Sequence, residues 1–251
     1  MNDPESHFER TIVEQPIDAN LQLLQARISE AAERSGRGAD AIELVAICKG
    51  QPASSVRAAY QAGQRDFGEN RVVEAREKQA ELTHLSDIRW HMVGHIQSRK
   101  AKDVAPHFFM VHSIDRVKIA QRLDRFAAES GRILHVLIEC NTSGEASKTG
   151  WSAWQKDDWP GALEDIQMIR EHKNLAVRGL MTMAPWTADP AVLRSTFQGL
   201  RAFRDFLEEK LLTDLPELSM GMTDDYEIAI EEGATIVRVG RAIFGPRHTD
   251  A

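Results

Sequence analysis

The strongest constraint on the fold is an alternation: eight short apolar runs, each followed by a helical pattern until the last, between Leu44 and Val239. Residues 44–50, 66–70, 88–94, 108–114, 133–140, 177–183, 218–220 and 235–239 read as strands. Helical patterns at 53–62, 72–82, 98–105, 116–128, 161–172, 191–212 and 224–232 separate them. Short runs that are apolar throughout suit strands covered on both faces, the situation of a parallel sheet flanked by helices. Eight such units predict an α/β fold, a single TIM (β/α)8 barrel. An open doubly wound sheet is the alternative, because connectivity alone does not close a sheet. Leu21, Leu24, Ile28 and Ala32 recur at helical spacing ahead of the first strand, with Gly36 and Gly38 behind them, so an extra N-terminal helix is expected. Residues 1 to about 16 lack periodicity and are expected to be disordered. No linker or composition shift divides 1–251, which reads as one domain.

Composition removes several function classes. The net charge of −7 argues against nucleic acid as a partner. Two cysteines, Cys48 and Cys140, make no disulfide framework and suit a reducing cytoplasm. The first 20 residues hold no apolar signal-peptide core, and no run reaches the roughly 20 apolar residues of a membrane span. A soluble cytoplasmic protein is expected.

In a barrel the chemistry gathers at the carboxyl ends of the strands. Lys49 closes the first run, on the same strand face as Val45 and Ile47, while Cys48 points to the other face. A desolvated lysine loses its proton readily and becomes a nucleophile toward aldehydes; the competing reading is an ammonium that snorkels out at a strand end. The turns Ser219-Met220-Gly221-Met222-Thr223-Asp224-Asp225 and Gly240-Arg241-Ala242-Ile243-Phe244-Gly245 follow the seventh and eighth strands, the usual phosphate cradle of this fold. Ordinary turn glycines and helix caps would look the same, and Asp224 and Asp225 suit capping. Arg238 shares a face with Ile236 and Gly240; if that face is the barrel interior, the guanidinium must be paired there. His91 and His95 are four apart but straddle a strand end, so no metal site is expected. The polar loop 141–150 lies over the fifth strand's end, which makes Asn141 and Lys148 candidates to support the site.

Together these pieces resemble the YggS-type pyridoxal phosphate homeostasis family, called PROSC or PLP-binding protein in animals. The likeness runs from about residue 20 to Arg247. It rests on Lys49 with Pro52, Phe67-Gly68-Glu69-Asn70, His91-Met92-Val93-Gly94 leading into Ile96-Gln97, and Asn141 through Gly150. Gly179-Leu180-Met181, the 219–225 turn, and Arg238-Val239-Gly240 with Phe244-Gly245 complete it. The resemblance implies a barrel like the N-terminal domain of alanine racemase, a fold-type III protein with pyridoxal 5'-phosphate as a Schiff base on Lys49. It further implies cofactor contacts from Asn70, Met181, Ser219, Gly221, Met222, Thr223, Arg238, Gly240 and Arg241, with His91, Asn141 and Lys148 behind them. Four departures stand out. Cys48-Lys49-Gly50 replaces the usual Ser-Lys-Thr, Arg71 a tyrosine, Arg99 an asparagine, and Arg241 a small hydroxyl residue. Arg241 removes a phosphate-facing hydroxyl while keeping its backbone N–H and adding a charge.

Two functions compete. One is a non-catalytic protein that buffers or delivers the cofactor, in transient contact with apoenzymes and as a monomer. The other is a racemase-like enzyme, which needs acid/base groups on both faces of the substrate α-carbon. Lys49 could serve one face. Alanine racemase takes its second base, a tyrosine, from another domain that this chain is not expected to have, and the two tyrosines here, Tyr60 and Tyr226, fall in helices. That favours the carrier. A phosphate-sugar barrel enzyme with a Schiff-base lysine would fit the fold but not the motifs.

Overall fold

The computed structural model describes residues 16–246. The disorder expected for residues 1–16 lies, apart from Pro16, outside them. The strands are β1 (Glu43–Ile47), β2 (Asp66–Glu69), β3 (Arg89–Met92), β4 (Met110–Ile114), β5 (Leu134–Asn141), β6 (Trp151–Ser152), β7 (Leu175–Met181), β8 (Glu217–Ser219) and β9 (Ile236–Val239). Every pair is parallel. Pairing runs β4-β3-β2-β1-β9-β8-β7-β5, and β4 pairs with β5, which closes an eight-stranded barrel. The open-sheet alternative is thereby excluded. The two-residue β6 extends the end of β5 and is no part of the ring. It is too short to leave a pattern in sequence.

The helices are α1 (Ile17–Arg34), α2 (Ala53–Gln61), α3 (Val72–Glu81), α4 (Ala101–Val104), α5 (Val117–Glu129), α6 (Leu163–Arg170), α7 (Pro190–Leu211), α8 (Tyr226–Glu231) and α9 (Arg241–Phe244). Helix α1 buries Leu21, Leu24, Ile28, Ala31 and Ala32. It packs against α8, α9 and α2. Thus α1 fills the place beside β9 where a full eighth crossover helix would lie. Asn20 fastens it by donating to the buried carbonyl of Ile243 (3.1 Å) near the end of the four-residue α9. No helix among the described residues is long and apolar enough to cross a membrane.

Two apolar layers result. Val45, Met110, Leu137, Met181 and Ile236 meet inside the barrel, with Ile47 and Phe109 against them. A larger layer lies between strands and helices and includes Phe67, Phe108, Phe197 and Phe203. Gly68 opens the interior for this packing, since a Cβ there would stand 2.4 Å from Ile47 Cδ1. Gly179 matters more. A Cβ at 179 would stand 1.8 Å from the carbonyl oxygen of Glu217, its partner across β7 and β8. Gly179→Ala should therefore cost at least the ~1–3 kcal/mol of an overpacked core site, read as a lower midpoint in urea unfolding. An unchanged midpoint would mean the two strands separate freely there.

Candidate functional site at the carboxyl ends of the strands

The first run ends as a strand earlier than its apolar pattern suggests. β1 stops at Ile47. Cys48 follows, Lys49 and Gly50 form a turn, and Gly50 takes φ +68, which favours glycine. Lys49 is therefore half-buried on a turn above β1, not on the strand itself. Helix α3 holds that turn from below. Lys78 donates to the carbonyl of Cys48 (2.6 Å), while the backbone N–H of Gly50 donates to Glu74. The Cys48 thiol faces outward, as expected, and donates to buried Glu69 (3.2 Å). Lys78 is paired with both Glu69 and Glu74. Burial pushes the Cys48 thiol well up, so it is a neutral donor.

Arg238 points into the barrel. It is 5% exposed and shares its face with Ile236 of the interior layer. One guanidinium nitrogen donates to Ser219 Oγ (2.6 Å) and another to the carbonyl of Thr182 (2.9 Å). Burial lowers its pKa to about 10, partly offset by Asp225 and Glu139. The guanidinium therefore stays charged near neutral pH.

The loops after β8 and β9 lie side by side. Arg241 donates to Asp224 across them, while Thr223, Tyr226 and Ala242 border a groove whose other wall is α1, through Asn20, Leu23, Leu24 and Arg27. Gly221 adopts φ +94, and a Cβ there would strike Ala229 at 2.6 Å. Gly240 abuts β1, where a Cβ would lie 3.0 Å from the carbonyl of Ile47. Through that contact the Gly240 turn reaches the segment that carries Lys49. Asn70 follows β2, half-buried, its backbone pressed against Gly94.

Several expected ligands have other partners. Ser219 is fully buried, its hydroxyl between Arg238 and His112 inside the barrel, so it does not offer that hydroxyl to a phosphate at the mouth. The backbone N–H of Met222 donates to the Asp225 carboxylate, a capping contact, and its side chain is exposed. Met181 belongs to the interior apolar layer. Asn141 shapes its own loop: its Oδ1 accepts from the backbone of Ser143 (3.2 Å) and Gly144 (3.1 Å). Lys148 ties that loop to the segment just after β7 through the carbonyl of Met183 (2.8 Å). His91 is buried inside the barrel, and His95 turns away to Asp115 (2.7 Å), so the two do not converge. Glu43, Asp66 and His91 bring possible ligand atoms together at the opposite end. Arg89 forms ion pairs with both carboxylates there, at 3.6 Å to Glu43 and more closely to Asp66.

The model of the alanine racemase N-terminal domain family matches residues 19–248. A pyridoxal phosphate homeostasis protein of Pseudomonas aeruginosa is 45% identical over 92% of this chain and 96% of its own length. This chain belongs to the pyridoxal phosphate homeostasis family. PipY of Synechococcus elongatus, solved with PLP bound, is 36% identical with a TM-score of 0.79, covering 91% of this chain and all of that one. Alanine racemase of Clostridium difficile shares the fold at 13% identity and a TM-score of 0.69, over 92% of this chain and 58% of that one. In this homeostasis-family chain, sequence reasoning missed two interior groups. His112 sits in the middle of β4 and is fully buried. Glu139 faces the mouth from β5, accepts from Thr149 (2.7 Å) and has its pKa raised by burial. Each is a polar residue inside a mainly apolar run, which was the available signal.

Proposed function

We propose that this protein binds pyridoxal 5'-phosphate through Lys49 and buffers or delivers it within the cytoplasm, without turning over amino acids. The observation that carries the reading is Arg238, a charged donor buried beneath the same mouth that Lys49 borders. The donor set fits the cofactor: an amine for the aldehyde, a guanidinium for the ring nitrogen, and the paired turns of Gly221–Thr223 and Gly240–Arg241 for the phosphate. When bound, the cofactor supplies an electron sink, and the protein tunes it through the ring-nitrogen contact. Arginine only donates, so the ring nitrogen it meets must accept and stay unprotonated. That weakens the sink and suits storage. Release to apoenzymes by a monomer is part of this reading.

A racemase-like activity finds less support. Tyr60 donates to Asp87 on the helical layer, and Tyr226 lies in α8 against α1, its pKa raised by burial. Neither is at the mouth. Turnover of alanine and other common amino acids is expected to be negligible; robust racemisation lost in Lys49→Ala would reverse that. The main test is an absorbance scan of the protein with the cofactor, then borohydride reduction and peptide mapping. A pyridoxyl group on Lys49 is expected, and labelling mainly elsewhere would sink the assignment. Thr223→Ala should weaken binding by about ten- to a hundredfold, the worth of one hydrogen bond to a charged group. Unchanged affinity in a cofactor titration would make Thr223 a helix-turn residue only.

A further inference from the structure

A line of polar side chains crosses the barrel interior beneath the mouth. Asp66 Oδ1 is 3.0 Å from His91 Nε2, and His91 Nδ1 is 2.9 Å from His112 Nε2. His112 Nδ1 is 2.9 Å from Ser219 Oγ, which accepts from Arg238 at 2.6 Å. The line starts at β2, passes β3 and β4, and crosses the barrel to β8 and β9. His91, His112 and Ser219 are each fully buried. Nothing in the proposed cofactor chemistry calls for two buried histidines, yet both are hydrogen-bonded at both ring nitrogens.

We infer that Asp66, His91, His112 and Ser219 form a positioning relay that fixes the guanidinium of Arg238 from the opposite end of the barrel. The polarity of each bond follows from the two ends. Burial alone would raise the Asp66 carboxyl, but its bonds from His91 and Arg89 outweigh that and hold it below its ordinary value, so it accepts. His91 therefore donates from Nε2. The relay as proposed has one hydrogen on each ring: His91 Nδ1 accepts from His112 Nε2, and His112 Nδ1 accepts from the Ser219 hydroxyl. Burial keeps His112 neutral, which that arrangement requires. Ser219 Oγ is then left with lone pairs toward Arg238, and a guanidinium has only donors to offer. Every bond points one way, from Arg238 to Asp66. Aligned hydrogen bonds in a low-dielectric interior polarise one another, so the chain draws Arg238 toward Ser219 more firmly than a lone hydroxyl would. The Thr182 carbonyl holds the second guanidinium nitrogen, and the remaining N–H groups are fixed in direction. Ser219 and His112 thus act on the cofactor site through Arg238, without touching the ligand.

The inference rests on the reading of Arg238 as the ring-nitrogen partner, but its first test needs no cofactor. Nitrogen NMR of the ligand-free protein should find both His91 and His112 with hydrogen on Nε2 and a hydrogen-bonded, unprotonated Nδ1. Hydrogen on His112 Nδ1 would reverse the chain and overturn the proposal. Asp66→Asn, at the far rim, should move the His112 ring signals and the Arg238 Nε–H signal while amides on the outer helices stay put. Unmoved signals would overturn it too. With pyridoxal phosphate added, Ser219→Ala should lower affinity roughly tenfold, about one charged hydrogen bond, and shift the absorbance of the bound cofactor. Altered relay signals with unaltered affinity and absorbance would refute the link to the site. If the wild-type protein binds no pyridoxal phosphate, the functional reading fails, and the ligand-free experiment still decides the relay.

Discussion

Lys49→Ala is expected to lose on the order of a hundredfold or more in affinity for pyridoxal phosphate, about 2.7 kcal/mol, together with the colour of the bound cofactor. The effect should be large because the other contacts are non-covalent and shared among several loops, whereas the amine is one group at one place. Lys49 borders the mouth on a turn that α3 holds at both flanks, through the Cys48 carbonyl and the Gly50 N–H. Truncating the side chain beyond Cβ leaves those backbone bonds intact, so the turn itself should persist. Lys49→Arg separates charge from nucleophilicity: it keeps a cation but supplies no amine that can add to an aldehyde. Both variants should therefore fail to retain borohydride-reduced cofactor. Wild-type affinity in both would remove Lys49 from the site.

Much of this site is legible in the sequence because barrels convert order along the chain into position around a ring. The eight alternations give the strands, and strand ends give the mouth, so Lys49 and the two glycine turns are found without coordinates. Parity gives more: Arg238 shares a face with Ile236, and that face is the interior. Parity does not say what stands opposite. β4 and β8 lie on different sides of the barrel with β5 and β7 between them, so the bond from His112 to Ser219 is invisible to any pattern within one strand. That is why Ser219 reads as a phosphate hydroxyl in sequence and as a partner of Arg238 in the fold. The β1 boundary is lost for a local reason. The sequence pattern runs on through Cys48 and Lys49 to Gly50, but the turn with Gly50 at positive φ ends the strand at Ile47, three residues sooner. Helix α9 has only four residues, fewer than any periodicity needs.

The Cys48-Lys49-Gly50 turn leans on Lys78, which donates to its first carbonyl. Glu69 is fully buried, and burial raises its carboxyl above the ordinary value, with Lys78 offsetting part of the rise. Lys78 is itself 5% exposed; burial works to lower its pKa, but Cys48, Glu69 and Glu74 outweigh it, so the ammonium remains. Removing one member of a buried pair leaves the other charge uncompensated. Lys78→Met should cost about 3–5 kcal/mol. At roughly 2–4 °C per kcal/mol for a protein of this size, the thermal midpoint should fall by about 6–20 °C. The deficit should also depend on pH in a definite sense. With Lys78 gone, the Glu69 pKa rises further above its unfolded value, so the folded state binds more protons than the unfolded one. Stability of the variant relative to wild type then falls as pH rises through that raised pKa and recovers toward acid, where Glu69 is neutral. The double variant Lys78→Met with Glu69→Gln removes the stranded charge and should regain much of the loss at neutral pH. Lys78 also donates to the Cys48 carbonyl beside Lys49, so the single variant should bind pyridoxal phosphate more weakly even well below its midpoint. A Lys78→Met protein as stable as wild type from pH 5 to pH 8, on urea titration, would show that Glu69 finds its compensation elsewhere and that the Lys49 turn does not lean on this cation.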